Sequence, residues 1–109
     1  MVGLSIYRRR IEAAIMPHII YTPTAISDLI RLANFLKSKD KAVAKRAITT
    51  IRTEIEKASV LPERYRPVPD LLHYREIIVD FGASGYIARF KYEQGGDISI
   101  VRIKHQLEE

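Results

Sequence analysis

The sequence predicts an α+β domain: an antiparallel-rich sheet of about four strands with an N-terminal helical hairpin on one face. Three observations predict it. Two apolar stripes at helical spacing follow one another across a short polar turn. Three β-rich runs separated by glycine turns fill the C-terminal third. The helices are segregated from the hairpin-connected strands instead of alternating with them, which indicates α+β and not a parallel βαβ sheet. The predicted order is β-α-α-β-β-β, preceded by an extra N-terminal segment.

Residues 1–16 read as that extension. Leu4, Tyr7, Ile11, Ala14 and Ile15 recur at helical spacing beside Arg8, Arg9 and Arg10, a short basic amphipathic pattern. Three readings stay open: an extra helix packed on the domain, an arm for a membrane surface or partner, and an upstream extension of the reading frame with Met16 as the native start. The domain proper is residues 17–109.

It opens with a short β-rich run, His18 to Thr22, ended by Thr22-Pro23. A Thr that can cap, followed by Pro at the first helical position, starts a helix. Ala25, Ile26, Leu29, Ile30, Ala33 and Leu36 form its apolar stripe until Ser38-Lys39-Asp40 breaks it. Val43, Ala44, Ala47, Ile48, Ile51, Ile55 and Ala58 form the second stripe. The pair should pack on the sheet through Leu29, Ile30, Ala33, Ala47, Ile48 and Ile51. Leu61 to Asp70 carries Pro62, Pro67 and Pro69, so an extended loop returns across the domain there. The strands that follow are Tyr74 to Phe81, Tyr86 to Tyr92 and Ile98 to Lys104, with turns at Gly82-Ala83-Ser84-Gly85 and Gly95-Gly96-Asp97. In the last strand, strict alternation puts Ile98 and Ile100 on one side and Val101 and Ile103 on the other. Both faces would then be apolar, and the second would need a cover, either the N-terminal segment or a partner.

A chain of 109 residues is enough for one domain and too short for two. It holds no cysteine, which excludes disulfides, thiolate catalysis and zinc–thiolate sites and fits a reducing compartment. Eighteen Lys and Arg against thirteen Asp and Glu give a net charge of +5, favouring nucleic acid or an acidic protein as partner. Part of this excess lies in the three arginines near the N-terminus. No apolar run approaches the ~20 residues of a membrane span, and Glu12 interrupts the only stretch resembling a signal core. The expectation is a soluble, cytoplasmic protein that does not engage a membrane.

Four segments carry a resemblance to a known family. Thr22-Pro23-Thr24-Ala25-Ile26-Ser27-Asp28-Leu29 resembles the first-helix signature of the RelE/ParE superfamily of bacterial toxins. Tyr74-Arg75-Glu76-Ile77-Ile78-Val79 resembles its Tyr-Arg strand, and Gly85-Tyr86-Ile87-Ala88-Arg89-Phe90 the next. Ile100-Val101-Arg102-Ile103-Lys104-His105-Gln106 is similar to the closing strand. The phrase from Phe81 to Tyr86 and the ending from Lys104 to Glu109 look closer to ParE. The resemblance implies the toxin of a type II toxin–antitoxin system, of the kind that serves plasmid stabilisation, bound in a hetero-oligomer by a cognate antitoxin. A ParE-like member would inhibit DNA gyrase without bond-making chemistry. The alternatives are a RelE-like endoribonuclease acting on messenger RNA at the ribosome, and a non-toxic domain that binds an antitoxin-like helix.

RNA cleavage needs a 2′-hydroxyl deprotonated, a 5′-oxygen protonated and phosphate charge stabilised. Arg75 and His105 are the catalytic candidates if the protein is RelE-like, His105 as acid or base and Arg75 as a two-point phosphate brace. Arg75, Tyr86, Arg89, Arg102 and Lys104 are the candidate contacts to target or antitoxin. Blander readings stand beside these. Arg75 could pair with a neighbouring acid or anchor the core side of its strand, and His105 could cap a carbonyl at a strand end. Ser84 and the glycines around it fit turn chemistry, and His18 and His73 read as surface residues. The charges Arg31, Lys37, Lys41, Lys45, Arg46 and Arg52 read as a solvated helical face. No His or acidic residues have metal-ligand spacing, so neither metal nor cofactor is expected.

Overall fold

The computed structural model describes residues 16–108. The readings of residues 1–15 lie outside them.

Strand β1 (Ile19–Tyr21) leads into helix α1 (Pro23–Lys37), which turns into helix α2 (Lys41–Glu56). Short 3₁₀ turns at Lys57–Ser59 and Pro62–Arg64 lead to β2 (Arg66–Pro67), then β3 (Tyr74–Phe81), β4 (Ser84–Lys91) and β5 (Ile98–His105). The five strands lie in the order β1-β5-β4-β3-β2. β1 runs parallel to β5, and the other neighbours are antiparallel. The expected α+β order holds. The proline-rich loop adds a fifth, two-residue strand, because Arg66 and Pro67 pair with Glu76 and Arg75.

Local chemistry sets the helix starts. Thr22 Oγ1 accepts the Ala25 amide at 3.2 Å and donates to the Ile100 carbonyl at 2.8 Å, so one hydroxyl caps α1 and ties it to β5. Asp40 accepts the Ala42 and Val43 amides and caps α2. The β3–β4 hairpin is tighter than predicted. Phe81 pairs directly with Ser84 across Gly82 and Ala83, and Gly82 takes the left-handed conformation this turn needs.

α1 lies along β5 and α2 along β3, on one face of the sheet. Between them sit Ile51 and Ile55 of α2 with Ile77, Val79, Ala88, Phe90, Ile98, Ile100 and Ile103 of the strands, all essentially inaccessible.

Two expectations are corrected. Ile30 does not face the sheet; it is 56% exposed, as Ile26 is 47%. The inward side of α1 is Ala25, Asp28 and Leu32. The helix is rotated toward the edge of β5, where Asp28 meets polar partners. The second correction concerns the last strand. Arg89 pairs with Arg102 but Phe90 with Ile100, so Val101 is an unpaired extra residue in a β-bulge. A bulge resets the alternation, and Ile98, Ile100 and Ile103 therefore all reach the same core. The face away from the helices is less apolar than strict alternation implies.

Candidate functional site

The strands carry their chemistry in three places. At the end of the sheet where β3 begins, Arg75 projects from the core side. Its Nη1 donates to the carbonyls of Glu63 at 3.0 Å and Tyr65 at 2.6 Å, holding the loop after α2 against β3. Arg75 also lines a cavity of about 670 Å³ with Glu63, Leu71, Leu72, His73, Tyr74 and Tyr92. Of the blander readings, the structural anchor describes this geometry; the partners are carbonyls and not an acid.

Alternation puts Glu76 and Ile78 of β3, Ile87 and Arg89 of β4, and Lys104 of β5 on the face away from the helices. Here Glu76, Ile87, Arg89, Arg102 and Lys104 line a groove of about 220 Å³. Glu76 organises it, accepting from Arg66 Nη2 at 3.1 Å and from Arg89 Nε and Nη2 at 3.3 and 3.1 Å. Arg102 turns to Asp28 instead, Nε to Oδ2 at 3.1 Å. Among the described residues Lys104 has no ion-pair partner.

At the opposite end of the sheet, His105 and Tyr86 pair across β4 and β5, their rings edge to face at 5.3 Å. His105 Nε2 lies 2.9 Å from Ser84 Oγ, and the Leu107 amide donates to Nδ1 at 3.2 Å. With Nδ1 accepting, Nε2 is assigned as the nitrogen that donates a hydrogen bond to the serine oxygen. That tautomer does not activate Ser84 as a nucleophile. Glu108 folds back over the site, accepting the His105 amide at 2.9 Å and Arg31 Nη1 at 2.6 Å. A cleft of about 550 Å³ opens beside it, lined largely by Leu32, Phe35, Leu36, Tyr86 and Leu107. Burial, reinforced by the Glu108 charge, pushes the Tyr86 hydroxyl above its ordinary 10.0.

The structure does not bring Arg75 and His105 together. Arg75 stands opposite Phe90 and His105 opposite Tyr86. Four residues along β4 and two strand spacings across put their Cα atoms about 16 Å apart. Each side chain is also held locally by other partners.

Sequence reading missed Asp28, Arg31 and Glu108. Asp28, 6% exposed, accepts the Ile103 amide at 2.8 Å in addition to Arg102. Arg31, placed on a solvated face, instead reaches Asp28, Glu108 and the Ile103 carbonyl. Only one signal was available, an acid at a position of α1 that helical spacing assigns to the inward side. Among the described residues no group of three His, Cys, Asp or Glu could hold a metal ion.

The family model for the ParE toxin of type II toxin–antitoxin systems, parDE, matches residues 19–109. The chain belongs to the ParE toxin family. The match covers both helices and every strand, so family membership rests on the whole described fold. A solved structure described as the chromosomal ParDE TA system from P. aeruginosa is similar in fold, with a TM-score of 0.69 at 18% identity. The alignment covers 83% of this chain and 96% of that one. No curated protein matches the sequence.

Proposed function

We propose that this ParE-family toxin acts on DNA gyrase by binding, without bond-making chemistry, and is neutralised by a cognate antitoxin in a cytoplasmic hetero-oligomer. The observation that carries the reading is the separation of Arg75 from His105. Cleavage would need acid, base and phosphate brace within hydrogen-bond reach of one phosphodiester. Here the two stand at opposite ends of the sheet, His105 Nε2 is hydrogen-bonded to Ser84 Oγ, and Arg89 and Arg102 are occupied by Glu76 and Asp28. Such groups can still contact a protein through its polar surface.

The antitoxin fits the face away from the helices. Ile78 is exposed there and pairs with Ile87, which lines the groove with Arg89 and Lys104, apolar ground with a basic rim. A disordered acidic tail could fold onto it, burying a large area as it orders. Among the described residues no helix is long and apolar enough to cross a membrane.

The test is expression without antitoxin. Cells should filament and purified gyrase should lose supercoiling activity, while translation and messenger RNA initially hold. Rapid messenger cleavage at ribosomes with gyrase untouched would instead establish the RelE-like alternative.

A further inference from the structure

Pro67 to Tyr74 forms a shaped loop at the end of the sheet that carries Arg75. Val68 donates to the Tyr74 carbonyl, Leu71 to Val68 and Tyr74 to Leu71, closing two successive turns. Asp70 and His73 both sit in the left-handed region, at φ 65° and 70°. Neither is glycine, so the turns hold the loop in a conformation its residues rarely adopt alone. Between these two residues Leu71 and Leu72 are displayed to solvent, Leu72 at 80% exposure. An exposed leucine pair on a closed, held loop is a preformed apolar contact.

Arg75 lines the cavity beside this pair. Two carbonyls hold its Nη1 and fix the guanidinium plane. Among the described residues Nε and Nη2, the other edge of the fork, donate to nothing. That edge matches the two oxygens of a carboxylate or phosphate. The surroundings distinguish them. Glu63 and Asp70 also line the cavity, and Glu93 stands 3.3 Å from His73. These acids oppose any anion, and each charge beyond the one that Arg75 holds meets them with no second arginine in the lining to offset it, so a single carboxylate is penalised less than a polyanion. Leu71 and Leu72 offer apolar surface for the body of a side chain.

We infer that the Arg75 cavity is a docking site for a segment of a partner protein that presents a carboxylate on a leucine-like apolar body. The carboxylate bridges Arg75 Nε and Nη2, and the apolar body rests on Leu71 and Leu72. The site is distinct from the groove of Arg89 and Lys104, and it stands whichever protein is the toxin's target.

The experiment uses two probes of one shape, N-acetyl-leucine and N-acetyl-leucinamide, titrated into the full chain. Amide and arginine Nε–H signals are followed by NMR. N-acetyl-leucine should shift the Arg75 Nε–H and the amides from Leu71 to Tyr74, and loss of the charge in the amide probe should weaken binding roughly tenfold. Leu72→Ala should weaken the acid probe several-fold with an unchanged thermal midpoint, because Leu72 is exposed. Arg75→Lys keeps the charge but loses the fork, and should weaken it further. Leu72→Ala keeps the test open if the lysine variant fails to fold. Equal binding of the two probes, or no shift at Arg75, would overturn the inference. So would a short oligonucleotide shifting these signals while N-acetyl-leucine leaves them unmoved, which would assign the site to nucleic acid.

Discussion

The Asp28 carboxylate accepts the amide of Ile103 at 2.8 Å, although the two residues lie 75 positions apart. β1 covers β5 only as far as Ile100, so the outer side of the remaining strand needs other partners. Asp28, Arg31 and Glu108 supply them, meeting the Ile103 amide, the Ile103 carbonyl and the His105 amide. Side chains of α1 and the C-terminal tail thus close an edge that would otherwise invite strand pairing.

Asp28→Ala should be among the more destabilising single changes in the chain. It strands a buried amide and removes the shared acceptor of two arginines. Hydrogen bonds to a charged group suggest a loss of about 2 kcal/mol. The thermal midpoint of a domain this size would fall by roughly 10 °C. Asp28→Asn keeps an acceptor for Ile103 and should lose less. Urea unfolding at unchanged m-value measures both, and an alanine variant as stable as the parent would show that water replaces the carboxylate without cost.

Deleting Val101 should be tolerated. The residue is the extra one in the bulge, and without it Arg89 still pairs with Arg102 and Phe90 with Ile100. The inward set of Ile98, Ile100 and Ile103 is preserved. Deleting Ile87 from the regular part of β4 has the opposite effect, since it throws Tyr86 and Ala88 onto different faces. Circular dichroism melts should show a cooperative transition for the first deletion and none for the second.

Gly85→Ala and Gly82→Ala separate two uses of glycine. A Cβ on Gly85 would overlap the Val79 carbonyl oxygen of the neighbouring strand. Backbone must move, at a cost of about 1–3 kcal/mol by analogy with overpacked cores. Gly82 has open space but a φ of +64°, so its substitution costs only the left-handed preference, about 1 kcal/mol. Chemical denaturation should rank the Gly85 variant as the less stable.

Acid should release the C-terminal latch. Burial raises the Glu108 pKa, but the His105 amide and Arg31 outweigh it and leave the group below its ordinary 4.5. A depressed carboxylate contributes stability that is complete above its unfolded value and is lost as pH falls through the folded one. The Arg31 and Leu107 signals should therefore move together below about pH 4.5, and Glu108→Gln should abolish that joint transition. Signals that stay fixed down to global acid unfolding would show the latch to be independent of the charge.

Arg89→Ala with Lys104→Ala should slow antitoxin association by roughly tenfold at low salt and flatten its ionic-strength dependence. Stopped-flow mixing with the cognate antitoxin reads this directly. Wild-type rates and salt dependence in the double variant would move the antitoxin off this face.

By itself the sequence determined the two helices, the four longer strands and their order, but not the two-residue β2 that forms only by pairing with β3. Thr22-Pro23, Asp40 and Gly82 act on backbone groups a few residues away, and the apolar stripes repeat within a few turns of helix. Such signals survive in the chain whatever it packs against. The tertiary structure decided the rest. Val101 and Ile103 read as one face and prove to be two, because the bulge exists only where β5 lies against β4. Ile30 fits the apolar stripe, yet α1 is rotated to carry Asp28 to an edge formed by a strand far away in sequence. Arg75 and His105 look like a pair in a list of residues, and the antiparallel register puts them at opposite ends of the sheet. Each of these outcomes depends on which backbone passes alongside, and pattern within one segment holds no record of its neighbours.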